Sequence, residues 1–315
     1  MREERAGDER LREERGAWRT VTGGLQAPRL RVAVIGVGRV GSVLGAALAR
    51  VGHQIVAATG VSIASVKRAD RLLPGVPLLP ADEAAARADL VLLTVPDGQL
   101  LGLIQGLTRT LAWQAGQLAV HTSGAHGIAV FDPAVQSGLV GMALHPAMTF
   151  AGRPEDLERL AGAAFGVTAP PDFRPVAETL VLELGGEPVW VPESARPTYH
   201  AALSMGSNHL VTLVNDAQDV LRTAGVEDPV RILAPLLTAS LDNALRLGDD
   251  ALTGPVSRGD RPTVEAHIRA LRGTKYLRPY LAMAIRTMQR AYQSGRLSQA
   301  QCAELLEGIE KAEEG

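Results

Sequence analysis

The chain has 315 residues, 46% of them hydrophobic and 21% charged, with a formal net charge of −2. That length supports two domains with full cores, and the near-neutral charge speaks against nucleic acid or an anionic membrane surface as a partner. A lone cysteine, Cys302, excludes an intrachain disulfide framework and suits a reducing, cytoplasmic setting, and no apolar run reaches the length of a membrane span.

Residues 1–24 mix Arg with Glu and Asp and lack the apolar core of a signal peptide; they read as a mobile tail or an exposed, poorly docked helix, and residues 1–28 are set outside the fold. The first strand is expected at Leu30–Ile35. It runs into Gly36-x-Gly38-x-x-Gly41 and a helix of small residues over Gly41–Val51. In that arrangement the first glycine makes a tight turn, the second lets the backbone approach a pyrophosphate, and the third lets helix and strand pack closely. Val37, Arg39 and Val40 complete the loop, and the pyrophosphate would sit on the helix N-terminus. A glycine turn with no ligand is the plainer alternative.

The second strand, Gln54–Thr59, is followed by no acidic residue until Asp70, although an NAD enzyme usually places Asp or Glu there for the ribose 2′-hydroxyl. Ser62, Ser65, Lys67 and Arg68 stand in the loop instead. NADP(H) is therefore the expected cofactor, with Ser62 and Arg68 meeting its 2′-phosphate. Lys67 and Arg68 read equally simply as the solvated face of a short helix.

Further strands are expected at Leu90–Val95, Gln117–His121, Leu139–Leu144, Ala163–Val167 and Pro188–Val191, alternating with helices such as Ala81–Arg87 and Phe173–Leu184. Such alternation defines an α/β doubly wound, mostly parallel sheet. After Pro192 no strand pattern recurs, and helices are expected at 197–224, 229–247, 262–271, 275–293 and 298–311. The predicted organisation is a dinucleotide-binding domain at 29–192 followed by an all-α domain at 193–315.

Ligands of open α/β sheets bind beyond the carboxyl ends of the strands. Thr94-Val95-Pro96-Asp97 should pass the cofactor there, with Asp97 capping the next helix. In His121-Thr122-Ser123-Gly124 the two hydroxyls suit the nicotinamide amide or a carboxylate, which makes Thr122 a cofactor candidate and Ser123 a substrate one. His145, held by Pro146 at a strand end, faces the cleft or serves as a structural histidine. His200, Ser204 and Asn208 recur every fourth residue on an otherwise apolar helix, with Asn215 returning to the stripe two turns later. The rest of that helix is Ala, Leu, Met and Val, so most of it is expected to be buried, and the stripe then needs partners, in an internal hydrogen-bond network or as a wall of the active cleft. In the loop 252–260, Ser257 and Arg258 could grip a substrate carboxylate, or Arg258 could lie in water, while Asp260 is placed to cap a helix. Ser298-x-x-Gln301 reads as a capping box. The seven histidines show no ligand spacing, and no metal is expected.

Taken together, the glycine fingerprint, His121-Thr-Ser-Gly124, His145-Pro146 with Thr149-Phe150, Tyr199-His200 with Asn208, and Leu-Thr-Gly-Pro-Val-Ser-Arg-Gly-Asp260 followed by Thr263-Val264 and His267 resemble one group. This is the Rossmann-like oxidoreductase family whose C-terminal helical domain is known only as domain of unknown function 2520. The chain is more distantly similar to pyrroline-5-carboxylate reductase, ketopantoate reductase and deazaflavin-dependent NADP reductase. The resemblance implies NADPH, hydride transfer to a C=O or C=N group, a homodimer built through the helical domain, and a 252–260 loop that reaches an active site. Ketopantoate-type enzymes place a proton-donating lysine on the first long helix. The matching position here is His200, with Ser204 where an asparagine would stand, so His200 becomes the candidate acid and Asn208 its assistant. An imidazole suits that task around neutrality. The resulting expectation is reduction of a small carboxylate-bearing oxo or imino acid, a ketopantoate-type 2-oxo acid being the best single substrate. A reading of another class is a non-catalytic NADP(H)-binding redox sensor that acts through a protein partner.

Overall fold

The computed structural model describes residues 29–314, so the expected N-terminal tail lies outside the described residues. The chain divides into two compact units, ending and beginning at Ser204 and Met205. The helix Arg196–Ser204 groups with the sheet, one helix later than the boundary read from the sequence.

The first unit is built on seven strands: β1 (Arg31–Ile35), β2 (Gln54–Thr59), β3 (Leu90–Leu93), β4 (Leu118–His121), β5 (Val140–Pro146), β6 (Ala164–Thr168) and β7 (Glu187–Trp190). Their order is β2-β1-β3-β4-β5-β6-β7, parallel throughout except where β5 meets β6. The expected α/β fold with a mostly parallel sheet is the observed one. Alternate residues of each strand feed two cores, as the period of a strand requires. Val32, Val34, Leu90 and Leu92 pack on one face, and Ala33, Ile35, Val91 and Leu93 on the other. Burial on both faces explains why these strands read as continuous apolar runs. Each fully buried Val, Leu or Ile side chain contributes roughly 1.5–3 kcal/mol of burial.

Helix α1 (Arg39–Arg50) crosses this sheet closely because its contact residues are small. A Cβ on Gly45 would lie 3.0 Å from a Val34 methyl. Helix α2 (Ile63–Leu72) follows β2, and α3 (Ala81–Ala85) precedes β3. Helix α4 (Asp97–Arg109) starts directly after Pro96, so Asp97 is its first residue and not its cap; its carboxylate acts on the positive helix end instead. After α5 (Glu155–Arg159), α6 (Arg174–Glu183) runs back along the sheet and ends ahead of Gly185, whose φ of +81° is the left-handed stop expected of a glycine there. Helix α7 (Arg196–Ser204) completes the unit.

The helix expected at 197–224 is interrupted. Met205–His209 forms a π turn between α7 and α8 (Leu210–Thr223). A π turn takes more residues per revolution than an α turn. The even four-residue stripe of His200, Ser204 and Asn208 is therefore not kept: the first two lie on α7 and Asn208 within the wide turn.

The second unit continues with α9 (Pro229–Leu247), α10 (Arg261–Leu271), α11 (Leu277–Gln293) and α12 (Gln299–Glu314). Its core gathers Val264, Ile268, Leu281, Met288, Leu305 and Ile309. Asp260 caps α10 through Thr263 N–H, and Ser298 with Gln301 forms the capping box before α12. Helix α8 is not buried in the chain as sequence reading supposed. Val211 and Leu213 are exposed, as are Leu236, Leu241 and Leu245 on α9. Among the described residues, no helix is long and apolar enough to cross a membrane.

Candidate active site

The parallel strands β1, β3, β4 and β5 bring their carboxyl ends to one edge. Ile35 pairs with Leu93, Leu93 with His121 and His121 with Ala143, so Gly36, Thr94 and Thr122 stand level and His145 lies slightly beyond. Three strand spacings separate β1 from β5, about 14 Å in all.

The glycine turn is built as the fingerprint requires. Gly36 has φ of +102°, and its carbonyl accepts hydrogen bonds from Gly38 N–H at 2.7 Å and Thr94 Oγ1–H at 2.6 Å. A Cβ on Gly41 would sit 2.2 Å from Thr94 Oγ1 and 2.3 Å from Gly36 O, so only glycine fits. A Cβ on Gly38 would meet only Gly36 O, at 3.9 Å, leaving its outward side open. No side chain caps α1 and no acid lies in its first turn, so its N-terminus is suited to an anion. Val37 is buried beneath the turn, Arg39 is exposed, and Val95 packs against Gly36. Pro96 is exposed at the head of α4.

At the end of β2, Thr59 Oγ1 donates to Leu79 O at 3.0 Å, and no carboxylate stands there. Ser62 caps α2 in a reciprocal box with Ser65. Arg68 is held by the segment after β5. Gly152, with φ of +74°, leaves room for it: a Cβ there would lie 2.9 Å from Arg68 Cδ and 3.1 Å from the Cα of Arg39. The buried Asp156 carboxylate fixes this segment by accepting Ala151 and Gly152 N–H at 2.8 and 2.7 Å. The open Gly38, the uncapped helix and an arginine beside the turn, with no opposing acid, fit a phosphorylated dinucleotide.

Near the ends of β4 and β5 lies a cluster of aromatic and cationic groups. His145 is half-buried, and its Nδ1 is 2.9 Å from the Tyr199 hydroxyl. The His145 and His200 rings meet edge-on with centroids 6.2 Å apart. Gly124 makes the space between them, since a Cβ there would lie 2.7 Å from His200 Cδ2 and 3.0 Å from His145 Nε2. Ser123 Oγ accepts Ala125 and His126 N–H, both at 3.2 Å, which shapes the loop beneath. His121 is fully buried, with Nε2 2.9 Å from Gly127 O and Nδ1 accepting Ser123 N–H. Burial pushes its pKa down to about 4, so it is a neutral structural group. Burial, with His200 and Arg196 nearby, likewise pushes His145 down to about 4.

Arg196 lies under this cluster, 1% exposed. It donates to Thr168 Oγ1, Ala143 O and Gly166 O at 2.8–3.1 Å, while its Nη1 has no hydrogen-bond partner among the described residues. Sequence spacing gave no sign of Arg196 or Asp156, because each acts through contacts more than twenty residues away or with backbone atoms. Ser204 is half-buried at the end of α7. Asn208, Ser257 and Arg258 belong to the second unit. Asn208 and Arg258 are exposed there, and Ser257 is buried with its hydroxyl on Gly254 O at 3.1 Å. Among the described residues no group of three or more His, Cys, Asp or Glu side chains is placed to hold a metal ion.

The fold and the glycine turn define a Rossmann-like dinucleotide-binding domain joined to a helical one. Residues 18–146 match the Rossmann-like domain model, and residues 163–287 match the model of the domain of unknown function DUF2520. No curated protein matches it. Among solved structures it is similar to a Bacteroides fragilis protein assigned provisionally as an NADP oxidoreductase. There the identity is 20%, the TM-score 0.70, and the coverage 83% of this chain and 98% of that one. It is also similar to an imine reductase from Pseudomonas sp. (19%, TM-score 0.61, 90% and 100% covered). A third is the Myxococcus stipitatus imine reductase in complex with NADP+ (18%, TM-score 0.59, 88% and 99% covered). At these identities the likeness is one of fold.

Proposed function

We propose that the chain is an NADPH-dependent oxidoreductase that reduces the C=O or C=N group of a small carboxylate-bearing oxo or imino acid. The observation that carries this reading is the pairing of His145 and His200 around Gly124, on the edge of the sheet that also holds the open glycine turn. NADPH, when bound, supplies the hydride. Gly36, Gly38 and Gly41 receive the pyrophosphate, and Arg68 beside Arg39 meets the 2′-phosphate. Ser62, by contrast, already uses its hydroxyl as a helix cap. His200 delivers a proton to the atom that gains charge, and Ser123 and His145 orient the substrate or the nicotinamide. Arg258 presents an exposed guanidinium suited to a carboxylate. The solved relatives named as imine reductases support a C=N substrate, and the resemblance to ketopantoate-type enzymes supports a 2-oxo acid.

The deciding experiment follows NADPH absorbance with the purified chain against a panel of short 2-oxo and cyclic or linear imino acids. Turnover of at least one carboxylate-bearing compound, and none of its decarboxylated analogue, is expected. NADPH binding without turnover of any member would favour the sensor reading.

The exposed apolar side chains of α8 and α9 support a homodimer formed through the helical unit. Val211 is 60% exposed and Leu245 79%, and monomeric proteins rarely leave large apolar patches uncovered. Analytical ultracentrifugation at micromolar concentration should give twice the 33.2 kDa chain mass. A single monomeric species would remove this assignment.

A further inference from the structure

His145 has one nitrogen engaged and one available. Nδ1 is 2.9 Å from the Tyr199 hydroxyl, while Nε2 makes no hydrogen bond among the described residues and faces the gap at Gly124 beside His200. The phenol ring of Tyr199 lies on Gly166, where a Cβ would come 2.5 Å from the hydroxyl oxygen. Among the described residues His145 Nδ1 is the acceptor within hydrogen-bond distance of that hydroxyl, so its proton is donated there. Beneath the pair, the Arg196 guanidinium is locked by three hydrogen bonds, with its carbon 5.8 Å from the Tyr199 ring centre. None of its hydrogen-bond partners is a carboxylate, and Glu193 favours its charge without forming an ion pair with it. A buried cation with no directly paired counter-ion opposes any second positive charge placed close by.

We infer that Tyr199 and Arg196 are positioning residues that hold His145 as an uncharged imidazole with its proton on Nε2, presented to an acceptor oxygen of the ligand. The inference rests on the reductase reading for the identity of that ligand, a carbonyl or carboxylate oxygen. The two histidines thereby divide the work: His145 is a fixed neutral hydrogen-bond donor, and His200 is left to move a proton. Burial pushes the Tyr199 hydroxyl above its ordinary range, so it remains a donor across the physiological range. The charged and titratable groups acting on His145 are His200 and Arg196 from α7, which oppose its protonation, and Asp97 from α4, which favours it; Tyr199 engages Nδ1. Burial, with His200 and Arg196, prevails.

The test is long-range proton–nitrogen correlation NMR on the full chain labelled with ¹⁵N-histidine, with the His145 signals identified by their loss in His145→Gln. In the wild type His145 should show the Nε2–H tautomer alone, unchanged from pH 8 to pH 5.5. In Tyr199→Phe the Nδ1–H tautomer should appear, because nothing then donates to Nδ1. Arg196→Lys should behave as wild type, and Arg196→Met should raise the His145 titration from about 4, though burial, the larger cause, keeps it below the ordinary imidazole value. If Arg196→Met does not fold, Tyr199→Phe still decides the matter. A wild-type His145 that carries its proton on Nδ1, or that is charged at pH 6.5, overturns the inference, as does an unchanged tautomer in Tyr199→Phe. The spectra need neither NADPH nor turnover. A correct tautomer with no reductase activity would therefore refute the reductase reading alone, and the reverse result the positioning alone.

Discussion

Replacing His200 by alanine is expected to lower turnover by roughly 10²–10⁴-fold, the usual contribution of a positioned general acid, while NADPH affinity stays nearly unchanged. The separation follows from where the side chain stands. His200 touches Gly124 and meets His145 edge-on. The glycine turn, in contrast, is stabilised by Thr94 and by the Thr59 carbonyl at the end of β2, which accepts Gly36 and Val37 N–H. Removing the imidazole therefore takes away a proton donor without loosening the dinucleotide crevice. Steady-state kinetics on the substrate found in the panel, together with NADPH titration by fluorescence, measure both quantities. Equal losses in kcat and in NADPH affinity would show that His200 supports the fold or the cofactor rather than the chemistry. An unchanged kcat would pass the proton-donating role to water.

The second large effect concerns Gly41. An alanine there would put its Cβ 2.2 Å from Thr94 Oγ1 and 2.3 Å from Gly36 O, so either the strand end or the turn must move. Overpacking of this kind costs about 1–3 kcal/mol. Here it falls on the hydrogen bond that holds the glycine turn, so NADPH affinity should drop by at least about tenfold, the equivalent of 1.4 kcal/mol. Gly98→Ala is the control. No atom lies within 4 Å of a Cβ at that position, in the first turn of α4, and the change should leave binding intact or raise stability slightly. Urea unfolding and NADPH titration on the two variants give the comparison. Undiminished NADPH binding by Gly41→Ala would mean that the turn is not the pyrophosphate site.

Most of the sheet was legible because its strands are buried on both faces and so appear as short apolar runs such as Val32–Ile35 and Leu90–Leu93. The glycine turn was legible because each glycine answers a local steric demand. The helical region was read less well. Its apolar content suggested burial, yet Val211, Leu236 and Leu245 lie open in the single chain, since hydrophobic periodicity records that a face will be covered without saying by what. The π turn at Met205–His209 was also invisible, because spacing arguments assume an unbroken α-helix. At the site, His145 and His200 could be picked out one by one. Their meeting around Gly124, and the Arg196 and Tyr199 that support them, depend on contacts between strands and helices distant in sequence.

The reversal of direction between β5 and β6 has a consequence for adaptability. In an all-parallel sheet the chain leaving β5 would have to cross to the far edge before starting its neighbour. Here β6 begins where β5 ends, with Phe165 opposite Pro146, so the connection from 147 to 163 stays on the ligand side. It forms a rim, pinned by Asp156 and leaning on Arg39 and Arg68 through Gly152. Insertions or exchanges in that rim would reshape the entrance and retune which compounds are admitted, while strand pairing below carries on undisturbed.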